Sequence, residues 1–255
     1  MKKINAYITE KLKLNKDSGI QYNYHPKDKY ELHSLLEKLF DERGKDADLN
    51  DIDVSLITSM SEMFISFDPG KIDISEWDVS NVKYMENMFK DCRDFNCDLS
   101  DWDVSNVLVM GSIFEGCRNF NSDLSKWNVS KVYDMRSMFK FCKKFNSDLS
   151  EWDVSNVKYM ESTFEGCYNF NSDLSKWDVS KVRNMEDMFN SCENFNSDLS
   201  NWDVSNVRTM EGMFSYCKKL NSDFSKWDTS KVEEMRFMFT DCDSLKDTPD
   251  WYYED

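Results

Sequence analysis

The sequence predicts a curved α/β solenoid of about eight 25-residue coils, with short parallel strands on one side and short helices on the other. A tryptophan and a cysteine recur every 25 residues without insertions: Trp77, Trp102, Trp127, Trp152, Trp177, Trp202 and Trp227, and Cys92, Cys117, Cys142, Cys167, Cys192, Cys217 and Cys242. A fixed period between 20 and 50 residues is typical of a repeat array in which each unit buries its apolar face only against its neighbours.

The helices of this prediction come from apolar spacing within each repeat. In segment 81–92 the apolar residues follow one another at steps of three, three, one and three: Val82, Met85, Met88, Phe89 and Cys92. This spacing places them on one face of a helix. Ser80 precedes the segment in the position of an N-cap.

The strands are predicted on the opposite side of each coil. In segment 95–100 the inward residues Phe95 and Leu99 lie among short polar residues, which suits a strand paired in parallel with the next repeat. Strands pair about 4.8 Å apart whereas helices pack about 8–10 Å apart. The stack is therefore expected to curve, with its strands on the inside.

The ends are predicted to be caps. Residues 1–47 form an N-terminal helical cap, with one helix at Ile4–Leu12 and a second that begins after Asp28, uses Glu31 in a capping box and ends near Gly44. Residues 48–245 form the repeat array. Residues 246–255 form a C-terminal cap whose aromatic residues cover the last core layer: Trp251, Tyr252 and Tyr253.

Composition narrows the function classes. The net charge of −16 disfavours binding to nucleic acid or to anionic membranes, and an acidic solvated surface is the simpler interpretation. The start of the chain shows no signal peptide and no stretch predicts a membrane span, so a cytoplasmic location is expected. The recurring cysteines are interpreted as reduced core residues. Cys97, which replaces a recurring serine, is expected to be the exposed, reactive thiol.

The repeated phrase Phe-Asn-Ser-Asp-Leu-Ser-x-Trp-Asp-Val-Ser-Asn-Val-x-x-Met-x-x-Met-Phe-x-x-Cys, with small variations between copies, resembles the BspA-like leucine-rich-repeat surface proteins over residues 48–245. The resemblance implies a leucine-rich-repeat-like solenoid with a non-catalytic role in adhesion or protein interaction. It also implies a cell-surface location, which requires an export route that the sequence does not show.

Nothing in the sequence predicts an enzyme, a cofactor or a metal site. Catalysis needs different residue types converging at one place, whereas this chain repeats one set, and its two histidines, His25 and His33, lie in the N-terminal cap. Two Asp rows are expected to cap backbone N–H groups, with a row of bound cations as the alternative. The Trp row is expected in the core, with an exposed glycan platform as the alternative.

A second period of 50 residues is superimposed on the repeat. From Asp101 onward the residue before each Trp runs Asp101, Lys126, Glu151, Lys176, Asn201 and Lys226. The residue before the first Val of the predicted helix runs Asn106, Lys131, Asn156, Lys181, Asn206 and Lys231. If equivalent residues are neighbours, the first row predicts a ladder of exposed ion pairs.

The predicted function is a non-enzymatic protein-protein interaction scaffold, a monomer with one unidentified protein partner. A surface adhesin and a glycan-binding array are the alternatives. Because the Asp-Leu-Ser surface hardly changes between repeats, the partner is expected on the helix side, where exposed residues differ. The predicted partner-binding residues are Tyr84, Tyr133, Phe141, Tyr159, Tyr168 and Tyr216.

Overall fold

The computed structural model describes residues 21–65 and 67–253. Within them there is one α-helix, α1 (Lys29–Arg43), and strand pairing is limited to isolated parallel bridges. Among the described residues only α1 is an α-helix, and the bridges do not extend into a sheet. The prediction of an α/β solenoid of strands and helices is therefore wrong. The helix predicted at Ile4–Leu12 lies outside the described residues.

The helix α1 agrees with the prediction for the second helix of the N-terminal region. Asp28 is its N-cap, and the Asp28 carboxylate accepts hydrogen bonds from the backbone N–H groups of Tyr30 and Glu31 at 2.9 and 3.0 Å. Gly44 follows the last turn with φ of 81°, a left-handed conformation that favours glycine. The buried face of α1 packs on the first coil through Leu32, Leu36 and Leu39.

Each coil is a succession of β-turns that begin and end at core residues. In one coil the turn hydrogen bonds run from Trp152 N to Leu149 O, Val157 N to Val154 O, Thr163 N to Met160 O, Cys167 N to Phe164 O and Phe170 N to Cys167 O, at 2.8–3.2 Å. A turn of this kind brings residues i and i+3 close together. Apolar residues three positions apart are therefore the first and last residues of β-turns, and both ends of each turn lie in the core. They do not indicate a helix.

In the segment predicted as a helix, every second N–H group from Ser137 to Phe141 donates to the next coil. Ser137, Phe139 and Phe141 donate to carbonyl oxygens 24 residues later, at 2.6–2.9 Å, and the intervening residues donate to oxygens three residues earlier. Ser137 and Phe141 have left-handed φ values of 54° and 62°. An α-helix would keep these N–H groups inside itself. In this segment these N–H groups donate to the next coil, and an α-helix, which needs the same donors, does not form.

The predicted strand and the predicted N-cap are also wrong. Parallel bridges join one residue of each coil on the side predicted to be helical: Ser59, Tyr84, Val109, Asp134, Tyr159, Asn184, Thr209 and Glu234. In segment 95–100 side chains make the link instead, as where Asn96 Oδ1 accepts from Asn121 N at 2.7 Å. Ser80 does not cap a helix, because its N–H and hydroxyl both donate to Asp78.

The recurring Trp and Cys residues connect each coil to the one before it. Trp152 Nε1 donates to Leu124 O at 3.0 Å and Cys167 Sγ to Phe139 O at 2.9 Å, both 28 residues earlier, and the same bonds recur along the stack. Both side chains are buried. They therefore fill the core and also satisfy carbonyl groups that would otherwise be buried without a donor.

All eight cysteines are free thiols, and burial raises the pKa of the stacked ones well above its ordinary value, as at Cys142. The prediction that Cys97 is exposed and reactive is wrong. Its side chain is 8% exposed, and burial raises its pKa to about 11. Cys97 Sγ accepts a hydrogen bond from Ile74 N, the role that Ser122 Oγ plays for Leu99 N one coil later. Cys97 is thus a replacement for the recurring serine.

The charged rows confirm the 50-residue period. Lys126 Nζ lies 3.6 Å from Asp101 Oδ1, and Lys176 Nζ lies 2.7 Å from Glu151 Oε1. In the second row each lysine donates to the asparagine of the preceding coil, as Lys181 does to Asn156 at 2.8 Å. A third, half-buried row also alternates in sign and pairs Lys90 with Glu115 and Lys140 with Glu165.

The C-terminal residues continue the core rows. Trp251 stacks on Trp227, with ring centroids 6.3 Å apart, and its Nε1 donates to Phe224 O at 2.9 Å. Tyr252 is buried, with its ring edge-on to Phe239, whereas Tyr253 is 72% exposed. Trp251 and Tyr252 therefore cover the last layer and Tyr253 does not. None of the described helices is long and apolar enough to cross a membrane.

Candidate interaction surface

The six predicted partner-binding residues all lie at the surface. Tyr84, Tyr133, Phe141, Tyr168 and Tyr216 are 38–47% exposed, and Tyr159 is half-buried. We call these six residues the aromatic surface. They lie on or beside the segments that pair with neighbouring coils, because Tyr84 and Tyr159 are bridge residues and Phe141 and Tyr216 occupy the left-handed position. The backbone thus fixes where each ring leaves the stack.

Tyr159 belongs to a first cluster, which is centred on an ion pair, and Tyr133 directly precedes the aspartate of that pair in the chain. Asp134 is 5% exposed, and its carboxylate accepts from Arg136 Nε at 3.0 Å. The same guanidinium carbon lies 5.3 Å from the centroid of the Tyr159 ring, within the range of a cation–π contact. The hydrogen bonds that Arg136 donates to Asp134 also raise the pKa of Arg136, which stays charged. The half-buried ring of Tyr159 is therefore held by a cation that is itself anchored.

Phe141 and Tyr168 belong to a second cluster, at the other end of the same segment. Lys140 Nζ lies 5.2 Å from the Phe141 ring centroid, and Lys143 Nζ lies 5.3 Å from that of Tyr168. Gly166 leaves space for Phe141, since a Cβ atom at Gly166 would lie 2.5 Å from Phe141 Cδ1. A glycine in one coil thus permits an exposed ring in the coil before it.

The structure brings four of the six residues together in two adjacent coils and leaves two apart. Tyr84 lies in an earlier coil and Tyr216 in a later one, and among the described residues none of the six rings pairs with another aromatic ring. Within the repeat array, residues 48–245, sequence reasoning missed one further exposed ring in the described residues, Phe237, which occupies a left-handed position and is 58% exposed.

Sequence reasoning also missed a row of cations that continues from Tyr133. Lys158 N donates to Tyr133 O, Arg183 N to Lys158 O and Arg208 N to Arg183 O, at 2.9–3.1 Å, so these residues occupy one row on successive coils. We call Lys158, Arg183 and Arg208 the basic row. Their constant 25-residue spacing was the available signal, and it becomes visible only when the repeats are aligned at this position.

The two ladders needed by the glycan-binding alternative are not available as ligand platforms. The Trp rings are 3–4% exposed and their Nε1 groups are bonded to backbone oxygens. The Asp carboxylates accept from the backbone N–H two residues later, as Asp148 does from Ser150 and Asp153 from Ser155, both at 3.0 Å. Asn128 makes the equivalent bond to Ser130. This confirms that the Asp rows cap turns.

The capping role predicts acid sensitivity. Bonds from serine N–H and hydroxyl groups lower the carboxyl pKa at several positions in each row, for example at Asp148, Asp153 and Asp173. A lowered folded-state pKa stabilises the fold above the ordinary carboxyl pKa of about 4, and this stability is lost as the pH falls through the folded-state value. We expect the melting temperature to fall steeply below about pH 4, as measured by circular dichroism.

A matched pair of variants separates capping from charge. Asp153→Asn should unfold at nearly the wild-type urea concentration at pH 7, because Asn128 already performs this role, whereas Asp153→Ala should lose about 1 kcal/mol of unfolding free energy. Equal destabilisation by the two variants at neutral pH would contradict the capping role.

The histidines do not form a catalytic group with the aromatic surface. His25 Nδ1 lies 3.3 Å from Asp53 Oδ2, and His33 Nδ1 lies 3.9 Å from Glu37 Oε1, both in the N-terminal part of the chain. In residues 21–65 and 67–253 no group of three or more His, Cys, Asp or Glu side chains is arranged to hold a metal ion. The aromatic surface and its neighbouring charges therefore provide side chains for contact with another molecule.

Comparison with known proteins identifies a repeat family. The family model described as "Mycoplasma protein of unknown function, DUF285" matches the chain twice, over residues 34–152 and 133–252. The two matches overlap and together cover the whole repeat array. No curated protein and no solved structure matches the chain.

Proposed function

The chain belongs to the family described as "Mycoplasma protein of unknown function, DUF285", and on this premise we propose that it is a protein-interaction scaffold without catalytic activity. A stack of nearly identical coils presents many equivalent surface positions on one backbone. Such arrays bind partners through side chains that differ from coil to coil. The proposed partner is a protein.

The observation that supports this proposal is the contrast between uniform core rows and variable surface rows. The bridge row needs only backbone atoms to join its coils, so its side chains vary freely: Tyr84, Val109, Asp134, Tyr159, Asn184 and Thr209. The Trp, Cys and capping Asp positions hardly vary because each makes a specific bond to the backbone. Selective recognition of a protein requires a surface of the first kind.

The aromatic surface supplies anchors of the type that dominates protein interfaces. Tyrosine and arginine are enriched among residues whose truncation weakens binding most, and Tyr159 is already oriented by Arg136. Restricting a ring before the partner arrives reduces the entropy lost on binding. We therefore assign the partner contact to the two adjacent clusters, which contain Phe141, Tyr159 and Tyr168, and to Tyr133.

Replacing these four residues by serine should abolish capture of the protein partner from a lysate of the host cells. The four side chains are exposed or half-buried, so the melting temperature should stay within about 5 °C of the wild-type value. Capture is measured by affinity purification and quantitative mass spectrometry, and folding by circular dichroism.

The matched control is the triple variant Ser125→Ala, Ser150→Ala and Ser175→Ala on the uniform Asp-Leu-Ser surface, which should capture the partner normally. The proposed site is rejected if the aromatic variant still captures the partner and the serine variant does not. Capture by neither variant, with both folded, would show that the interface includes both surfaces and would also reject the assignment to the aromatic clusters alone.

The surface-adhesin alternative rests on the resemblance to BspA-like proteins alone. The family that the chain matches is a repeat family of unknown function and does not support a specific role. The cellular location stays a prediction. Fractionation of host cells, with detection of this chain in the cytosolic and surface fractions, separates the two locations.

A further inference from the structure

A basic groove lies next to the aromatic surface. Its volume is about 420 Å³, and it is lined by Lys158, Ser180, Lys181, Arg183, Asn206, Arg208 and Lys231. Five of these seven side chains are cationic, although the chain as a whole carries a net charge of −16. The groove begins in the coil that contains Tyr159, because Lys158 lines it and the basic row continues directly from Tyr133.

The cations of the groove are close together and largely unneutralised. Direct backbone hydrogen bonds join Lys158, Arg183 and Arg208, so their Cα atoms lie about 5 Å apart along the stack. Lys181 and Lys231 donate to neutral asparagine side chains, Asn156 and Asn206.

Few carboxylates reach these cations. Arg208 pairs with Glu233 at 2.7 Å, at the end of the row, whereas the other four cations form no ion pair with a described carboxylate. Asp153 and Asp228 interact electrostatically with Lys181 and Lys231 without forming an ion pair, and their carboxylates accept hydrogen bonds from Ser155 and Ser230.

The other charged rows provide an internal comparison. Other charged rows contain neighbours of opposite sign, as in Asp101 with Lys126, Glu151 with Lys176 and Lys140 with Glu165. Alternation removes the repulsion between equivalent residues of adjacent coils. The capping Asp rows do stack like charges, and their carboxylates accept backbone N–H bonds. The basic row keeps that repulsion through three successive coils. An anionic ligand in the groove would relieve it.

We propose that this groove binds an acidic peptide segment, rich in Asp or Glu, of the protein partner; this inference rests on the proposed scaffold function. The guanidinium groups of Arg183 and Arg208 match carboxylates in a bidentate geometry. The row and its neighbours extend over roughly 15 Å, the length of four or five extended residues. A long polyanion such as nucleic acid would extend beyond the groove over an acidic surface that repels it.

The test measures fluorescence anisotropy of labelled peptides with the full chain at low ionic strength. An oligoglutamate probe should bind, an oligolysine probe of equal length should not, and added salt should weaken the binding. Arg183→Glu combined with Arg208→Glu should weaken oligoglutamate binding by about tenfold or more, because two contacts become repulsive.

The control variant is Lys219→Glu combined with Lys246→Glu, which makes the same change in net charge at exposed positions outside the groove. It should keep oligoglutamate affinity within about twofold of wild type. Equal loss in the two variants would overturn the proposal, since net charge alone would then explain binding. Absence of oligoglutamate binding would also overturn the proposal. A third contradicting result would be that an oligothymidylate probe binds more tightly than oligoglutamate and that this binding depends on Arg183 and Arg208.

The experiments distinguish failure of the acidic-peptide inference from failure of the proposed scaffold function. If the groove variant captures the native partner as well as wild type while the four-residue aromatic variant does not, the scaffold function stands and the acidic-peptide inference is rejected. If oligoglutamate binds in the groove but no protein is captured by the wild-type chain, the inference about the groove stands and the scaffold function is rejected.

Discussion

Replacing Trp152 by alanine should lower the free energy of unfolding by about 3–5 kcal/mol, the range for large aromatic residues truncated in a core. The Trp152 ring is 4% exposed and lies parallel to Trp127 and Trp177, with ring centroids 6.5 Å apart on each side. Its Nε1 donates to Leu124 O at 3.0 Å. The alanine variant therefore creates a cavity, removes the ring contacts with Trp127, Trp177 and Phe139, and leaves a buried carbonyl without its donor.

The position of Trp152 inside the stack adds to the effect. In a repeat array each coil is stabilised by its two neighbours, so damage to a central coil weakens two interfaces. Unfolding in urea, followed by tryptophan fluorescence and circular dichroism, measures the loss. We expect the two probes to separate in the variant, because the coils on either side of Trp152 can then unfold independently.

Two variants serve as controls for this prediction. Trp152→Phe keeps a buried ring and loses mainly the Nε1 bond, so it should destabilise less than alanine. Trp251→Ala removes a half-buried ring that stacks on one tryptophan, Trp227, and lies tilted to Phe239, and it should also have a smaller effect. A Trp152→Ala loss no larger than that of Trp251→Ala would contradict the proposed role of the Trp row in joining coils.

Gly166→Ala should be the second most damaging of the substitutions considered, with a loss of about 2–3 kcal/mol. Gly166 has φ of 72°, which disfavours any residue with a Cβ atom. The added Cβ would also lie 2.5 Å from Phe141 Cδ1, closer than van der Waals contact permits. Either the Phe141 ring or the backbone between the two coils must move.

A double-mutant cycle with Phe141→Gly separates the two causes. Without the ring, Gly166→Ala should lose only the conformational part, about 1 kcal/mol, which leaves a coupling energy of about 1–2 kcal/mol between the two positions. Urea unfolding of the four proteins gives this value. A coupling energy near zero would show that the ring moves away freely and does not need the glycine.

Gly111→Ala is the matched control. Gly111 has no left-handed φ, and the nearest atom to its added Cβ is Arg136 O at 3.6 Å, an ordinary contact. Its stability should change by less than about 0.5 kcal/mol, or increase because alanine restricts the unfolded chain. A large loss at Gly111 would mean that the stack resists substitution of any glycine, whatever its conformation.

Much of the molecule could be read from residue spacing. The 25-residue register, the burial of the Trp and Cys rows, the α1 helix after Asp28 and the ion pairs Asp101–Lys126 and Glu151–Lys176 all follow from patterns that a single chain displays. Each depends on a local motif or on the repetition of one residue type, and repetition makes equivalent residues neighbours. The exposure of the six aromatic residues was also predicted, although their role in binding stays a proposal.

The local conformation of each coil was decided only by the tertiary structure. Apolar residues three apart suit a helix and suit a series of β-turns equally, because both return the chain to the same side after three residues. The choice depends on whether the N–H groups of residues such as Ser137 and Phe139 bond within the segment or to the next coil. That bond joins residues 24 positions apart, and no local pattern reveals it.

The surface shows the same division. Sequence determined which side chains the chain carries, including the cations Lys158, Arg183 and Arg208 and the rings of Phe141 and Tyr159. Tertiary structure decided which of them meet: direct backbone pairing places the three cations in one row beside Tyr133, and a glycine in the next coil makes room for Phe141. Contacts between coils depend on the spacing and orientation of whole repeats, and these become defined only when the coils stack.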